Sequence, residues 1–145
     1  MNAVTTSQHW NDVFRTKAED EVSWFQAIPE ASIRLIESAQ LPKTAAVIDV
    51  GAGLSRLASE LVARGYLDVT ALDISAEAMT RLIARTGQSA ALKPIVADIT
   101  TWRPDRRYQL WHDRAVLHFI VSDADRSAYR MTLLEALSPN GHVII

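Results

Sequence analysis

In the run Val47-Ile48-Asp49-Val50-Gly51-Ala52-Gly53-Leu54-Ser55 an acid precedes two glycines, with an apolar segment before them and a helical pattern after. A strand that turns through Gly-x-Gly into a helix brings bare backbone N–H groups and a helix N-terminus against a ligand. Phosphate binding is the rival chemistry, and the spacing argues against it. A dinucleotide fingerprint places a third glycine three positions after the second, where this chain has Arg56. A triphosphate loop needs a closing Gly-Lys-Ser/Thr, which is absent. Asp49, two residues ahead of Gly51, repels a pyrophosphate and suits a cationic ligand.

Three more apolar runs carry an acid at or near their end: Asp68-Val69-Thr70-Ala71-Leu72-Asp73-Ile74-Ser75, Pro94-Ile95-Val96-Ala97-Asp98-Ile99 and Tyr108-Gln109-Leu110-Trp111-His112-Asp113. Asp73 lies about one strand–helix–strand unit beyond the glycines, where a carboxylate can take both ribose hydroxyls. One strand-ending Asp is as often the N-cap of the next helix. Four in succession point instead to a crevice, because the carboxyl ends of the strands line the ligand site of an open α/β sheet.

The glycine run resembles motif I of class I methyltransferases, which bind S-adenosylmethionine. Ser55 stands where many of them carry a third glycine, and it serves equally as an N-cap of the following helix. The opening His9-Trp10-Asn11-Asp12-Val13-Phe14-Arg15-Thr16-Lys17, with Glu19-Asp20-Glu21-Val22-Ser23-Trp24-Phe25, is similar to the N-terminal signature of one subfamily. That subfamily includes bacterial proteins of unassigned substrate and protein-lysine methyltransferases. Its motif IV region is similar to Trp111-His112-Asp113-Arg114-Ala115-Val116-Leu117-His118-Phe119, so the resemblance runs from Trp10 to the last residue.

The resemblance implies S-adenosyl-L-methionine as cofactor and S-adenosyl-L-homocysteine as product. It also implies in-line displacement at the sulfonium carbon toward a protein lysine or a small-molecule acceptor, where the protein chiefly aligns the reactants and excludes water. Asp98 then faces the adenine amino group with Ile99 packed on the ring, Ile74 covers the other face, and Asp73 holds the ribose. Asp49 and Asp113 place the cofactor's amino group, and the backbone of Gly51 and Gly53 lies against it. Arg15 is the candidate for the methionine carboxylate, because bidentate pairing suits a guanidinium. Trp10 and Trp24 close the pocket from an N-terminal lid, an aromatic face beside a sulfonium being favourable. His118, a few residues past the fourth strand, is the candidate general base. The plainer alternatives are helix packing for the tryptophans and a structural hydrogen bond for the histidine.

The remaining residues mostly exclude. His9, His112 and His142 have no metal-ligand spacing, and Asp123 and Asp125 at a helix start read as capping and dipole residues, so no metal site is expected. A net charge of −2 and a pI near 6.1 give no pull toward nucleic acid. The Asn/Asp-Pro-Pro-aromatic segment of nucleic-acid amino-methyltransferases is also missing after the fourth strand. With no cysteine there is no disulfide, thiolate nucleophile or thiolate metal site, and the arsenic methyltransferases are disfavoured. No run approaches membrane-spanning length and the start is unlike a signal peptide, so no membrane partner and a cytoplasmic location are expected.

The 145 residues, 48% hydrophobic, read as one domain: a helical lid over 1–42 and a Rossmann-like core over 43–145. Short strands alternating with amphipathic helices imply a doubly wound, mostly parallel α/β sheet with right-handed crossovers. The resemblance sets its order as 3-2-1-4-5. Helical stripes are expected at Ile33, Leu35 and Ile36, at Leu54, Leu57, Ala58, Leu61 and Val62, at Ala78, Met79, Leu82 and Ile83, and at Tyr129, Leu133, Leu134 and Leu137. Pro139-Asn140-Gly141 is expected to turn into a fifth strand, His142-Val143-Ile144-Ile145, in which the sequence stops. Relatives continue with two more strands, so either the polypeptide is a C-terminally truncated fragment or a second copy covers the open edge as a homodimer; the resemblance and the hazard of a bare edge favour the fragment. Two other functions stay open: a cofactor-binding module without turnover, and a dinucleotide-binding oxidoreductase.

Overall fold

The computed structural model describes residues 3–18 and 28–145, with side chains from Thr6 onward in the first segment. The elements run α1 (Ala3–Thr16), α2 (Glu30–Ser38), β1 (Val47–Val50), α3 (Leu57–Ala63), β2 (Val69–Asp73), α4 (Ala76–Thr86), β3 (Leu92–Val96), β4 (Tyr108–Asp113), α5 (Val116–Phe119), α6 (Asp123–Ala136) and β5 (Leu137–Ile144). The strands form one sheet in the order β3-β2-β1-β4-β5, every neighbouring pair parallel. This is the expected doubly wound order, with the chain crossing from β3 to β4 past β1 and opening a crevice at the carboxyl ends of the central strands.

Parity along the strands builds two cores. Val47, Val69, Ala71 and Leu110 point to one face and pack with Phe14, Ile33, Ile36, Leu57, Leu61 and Met79. Ile48, Val50, Leu72 and Trp111 point to the other and pack with Tyr108, Tyr129 and Ile99. Side chains alternate across a strand with period two, and β1 is buried on both faces as a central parallel strand must be. At the end of the sheet away from the crevice, Arg106 Nη1 donates to Asp68 Oδ1 at 3.0 Å and Lys93 pairs with the same carboxylate. The Arg106 guanidinium, opposed by partial burial and helped by Lys93, holds the Asp68 carboxyl below its usual range.

Several local expectations shift. Leu35, Ile83 and Leu134, placed on inward stripes by spacing, are exposed at 53%, 40% and 53%, because each lies one position off its helix's buried line. Others hold: Ser75 caps α4 as expected, accepting from the Ala78 N–H, and of the two candidates Ser122 and Asp123 it is Ser122 that caps α6, accepting from the Asp125 N–H. Strand three begins at Leu92 rather than Pro94, and Pro94 is tolerated there because β3 is an edge strand. Pro139-Asn140-Gly141 lies inside β5. Tyr108 pairs with Leu137 and Leu110 with His142, so the intervening residues are extruded as a bulge, with Asn140 at a φ of 60°. Among the described residues no helix is long and apolar enough to cross a membrane.

Candidate functional site

Strand register decides which of the acids meet. Asp49 of β1 pairs with Ala71 of β2 on one side and His112 of β4 on the other. Asp73, two residues beyond Ala71, therefore shares a sheet face with Asp49 and His112. The side chains follow: Asp49 Oδ1 lies 2.8 Å from His112 Nδ1, and His112 Nε2 lies 2.9 Å from Ser32 Oγ of α2. All three residues are buried. Asp49 Oδ2 is also buried and has no hydrogen-bond partner among the described residues. Asp49 lines a small cleft together with Gly51, Ala52, Ser55, His112, Arg114 and Ala115.

Beside this cleft the glycine turn is fastened to β2. The Gly51 and Ala52 N–H groups both donate to the Leu72 carbonyl, and the Gly53 N–H donates to Asp73 Oδ2 at 2.8 Å. Gly51 and Gly53 have φ of 67° and 49°, the left-handed region that disfavours a side chain. A Cβ on Gly51 would also lie 1.9 Å from Val116 Cγ2, at the start of α5. Asp73 Oδ1 accepts from the Ser75 N–H. Burial pushes the Asp73 carboxyl up to about 6, its Ser75 and Gly53 N–H bonds pulling down and the Asp49 charge pushing up. Each Asp73 oxygen accepts one backbone bond, which leaves each a further lone pair for a hydroxyl donor.

Helix α1 packs against this arrangement. Ser7 Oγ donates to the Ile74 carbonyl, and Asn11 Oδ1 accepts from Ser75 Oγ and the Glu77 N–H. Phe14, 3% exposed, sets its Cζ 3.2 Å from the place a Gly53 Cβ would occupy. Trp10 stacks on Phe14 at 5.7 Å and meets the Phe119 ring edge-on at 5.2 Å, joining α1 to α5. His118 lies exposed on α5 with its ring against Phe119 at 5.5 Å.

Two expected site residues go elsewhere. Asp113 has the opposite parity to Asp49, so it faces α6 and not the crevice. It is fully buried: its Oδ1 accepts from the Ala115 and Val116 N–H groups, and its Oδ2 accepts from the Leu117 N–H and the Tyr129 hydroxyl. It is a helix cap with no atom left for a ligand's amino group. Arg15 on α1 is exposed and paired with Asp12 at 3.2 Å. Asp98 lies two residues beyond β3, where its Oδ1 accepts from the Thr100 N–H and hydroxyl, and Ile99 is buried in the second core. Ile74 is half-buried next to Asp73. Trp24 falls outside the described residues. Among the described residues no cluster of His, Cys, Asp or Glu is arranged to hold a metal.

Sequence reasoning missed Ser32, His112, Phe14 and Phe119. A histidine next to a strand-ending acid is the one local signal that marked His112. Nothing local marks Ser32, which meets it across 80 positions.

Known proteins share this fold. The structure is similar to the glycopeptide N-methyltransferase MtfA complexed with S-adenosyl-L-methionine, at 20% identity and a TM-score of 0.66, over 86% of this chain and 57% of that one. It is similar to Haemonchus contortus phosphoethanolamine N-methyltransferase 1 in complex with phosphoethanolamine and S-adenosylhomocysteine, at 17% identity and 0.75, over 97% and 31%. A TehB-like SAM-dependent methyltransferase from Corynebacterium glutamicum matches at 18% identity and 0.68, over 97% and 70%. At such identities the likeness is one of fold, and this chain spans about half the length of the glycopeptide enzyme. Curated protein sequences give no match. The family described as "Methyltransferase domain" matches residues 47–141, about two thirds of the sequence and the whole stretch from β1 to the bulge of β5. The chain belongs to that methyltransferase-domain family.

Proposed function

We propose that this chain is an S-adenosylmethionine-dependent methyltransferase whose acceptor is an amine nitrogen, of a protein lysine or of a small molecule. The observation that carries the cofactor reading is the buried, unpartnered Asp49 Oδ2 beside the glycine turn. A buried carboxylate oxygen without a donor is costly, and an ammonium group relieves that cost with a charge-assisted hydrogen bond. The bound cofactor would supply an activated methyl on a sulfonium.

The chain's own residues supply placement. Asp49 takes the amino group and Asp73 the two ribose hydroxyls with its spare lone pairs. Gly51 and Gly53 let the backbone approach closely, and Ile74, Asp98 and Ile99 serve the adenine. Trp10, with Phe14 and Phe119, keeps water from the reacting centre. His118, beside Phe119 on α5, accepts a proton from the incoming amine. Two similar structures are N-methyltransferases by name, and the subfamily resemblance adds lysine methylation; both support nitrogen as the acceptor.

Release of S-adenosylhomocysteine tests the reading. With S-adenosylmethionine present, adding a lysine-containing peptide or a small primary amine should raise release above the acceptor-free background. His118→Ala should lower that rate by roughly 10²-fold, the lower end of what a general base contributes. A folded chain that binds S-adenosylhomocysteine but shows no acceptor-dependent release with any amine would contradict amine methylation and favour a binding module.

A further inference from the structure

The cofactor reading uses Asp49 and leaves unexplained the two side chains behind it. From the Ser32–His112–Asp49 chain we infer that His112 and Ser32 are positioning residues that aim Asp49 at the cofactor's amino group, an inference resting on the proposal above.

The geometry is fixed from both ends. Parallel pairing sets His112 directly beside Asp49, so the two side chains leave the sheet on the same face. The imidazole then spans from Asp49 Oδ1 at 2.8 Å to Ser32 Oγ at 2.9 Å on α2. A neutral ring with its proton on Nδ1 satisfies every atom: the N–H donates to Asp49, and Nε2 accepts the Ser32 hydroxyl. Such a chain ties one carboxylate oxygen down without cancelling its charge, as an arginine or lysine at position 112 would. The other oxygen is thereby left without a protein donor among the described residues, for a cation to take. Burial makes the clamp stiff, since Asp49 and His112 are 3% exposed and Ser32 6%. Ser32 also makes the site depend on α2, so the helix preceding the core contributes to cofactor binding without touching the cofactor.

The test separates positioning from general packing by using two ligands. S-adenosylhomocysteine carries the amino acid end, and 5′-methylthioadenosine keeps the nucleoside and sulfur without it. His112→Ala should weaken S-adenosylhomocysteine by roughly tenfold, the scale of one charged hydrogen bond, and leave 5′-methylthioadenosine within about twofold. Ser32→Ala, milder and safer for folding, should show the same selectivity at about threefold. Because His112 acts through Asp49, the double variant His112→Ala/Asp49→Asn should bind S-adenosylhomocysteine no more weakly than Asp49→Asn alone. Equal losses for both ligands, or additive losses in the double variant, would overturn the inference and leave the cofactor reading standing. A wild-type chain that binds neither ligand overturns both.

Discussion

Asp113→Ala should cost this domain about 3–5 kcal/mol of stability, the range for leaving buried partners of a charged group unpaired. Asp113 is fully buried and accepts four hydrogen bonds, three from the first turn of α5 and one from Tyr129. Tyr129 in turn accepts from Trp111 Nε1 at 3.0 Å, so the network runs from β4 through α6 and back to β4. Burial, reinforced by the Asp113 carboxylate, holds the Tyr129 hydroxyl well above its ordinary value, so it stays a donor. Alanine would leave that buried hydroxyl and three part-buried N–H groups without their acceptor. A urea titration with a lowered midpoint and an unchanged slope is the expected result. Tyr129→Phe, which removes a single donor, should cost only about 1–2 kcal/mol. If Asp113→Ala lost less than Tyr129→Phe, the capping role assigned to Asp113 would be wrong.

Asp73→Ala should weaken S-adenosylhomocysteine binding by roughly 1.5–3 kcal/mol, the worth of charge-assisted hydrogen bonds to the ribose. The pH dependence is more specific. In the free chain the Asp73 carboxyl is raised from 3.8 to about 6, so the folded state holds this proton more tightly than the unfolded one. Its contribution to stability is therefore full below about pH 4 and is lost as pH rises through 6. Hydroxyl donors from a ribose favour the ionised form, which reverses the sense for binding. Affinity should be flat above pH 7 and about tenfold weaker at pH 5, one unit below the raised value. Asp73→Asn should abolish that slope, at some cost to the free fold, because its single carbonyl oxygen can keep only one of the Ser75 and Gly53 N–H bonds. Calorimetry across pH 5–8 on both proteins measures this. A slope that persists in Asp73→Asn would assign it to another group.

Much of the fold was legible because it depends on local features. The acid-Gly-x-Gly turn, the Ser75 cap and the alternation of strands with helices are written within a few residues of one another. The site was legible less evenly. That Asp49 and Asp73 share a face while Asp113 does not depends on the register of β1 against β4, and no local pattern encodes a pairing across 63 positions. Asp113 became a helix cap for the same chemical reason that made it look like a ligand: a carboxylate at a strand end accepts the next N–H groups. Arg15 was suggested by its guanidinium, but on α1 it is exposed and paired with Asp12. Leu35, Ile83 and Leu134 show that hydrophobic spacing finds a helix more reliably than it finds the exact line that is buried.

On the proposed function, the cleft at Asp49 and the turn at Gly51 and Gly53 receive the amino and sulfonium end of S-adenosylmethionine. Calorimetric titration of the chain with S-adenosylhomocysteine at pH 7.5, with NADH as the competing cofactor, tests it most directly. One site of micromolar affinity, about −8 kcal/mol, and no NADH binding are expected. A folded chain that ignores S-adenosylhomocysteine, or that binds NADH even in its excess, would contradict it.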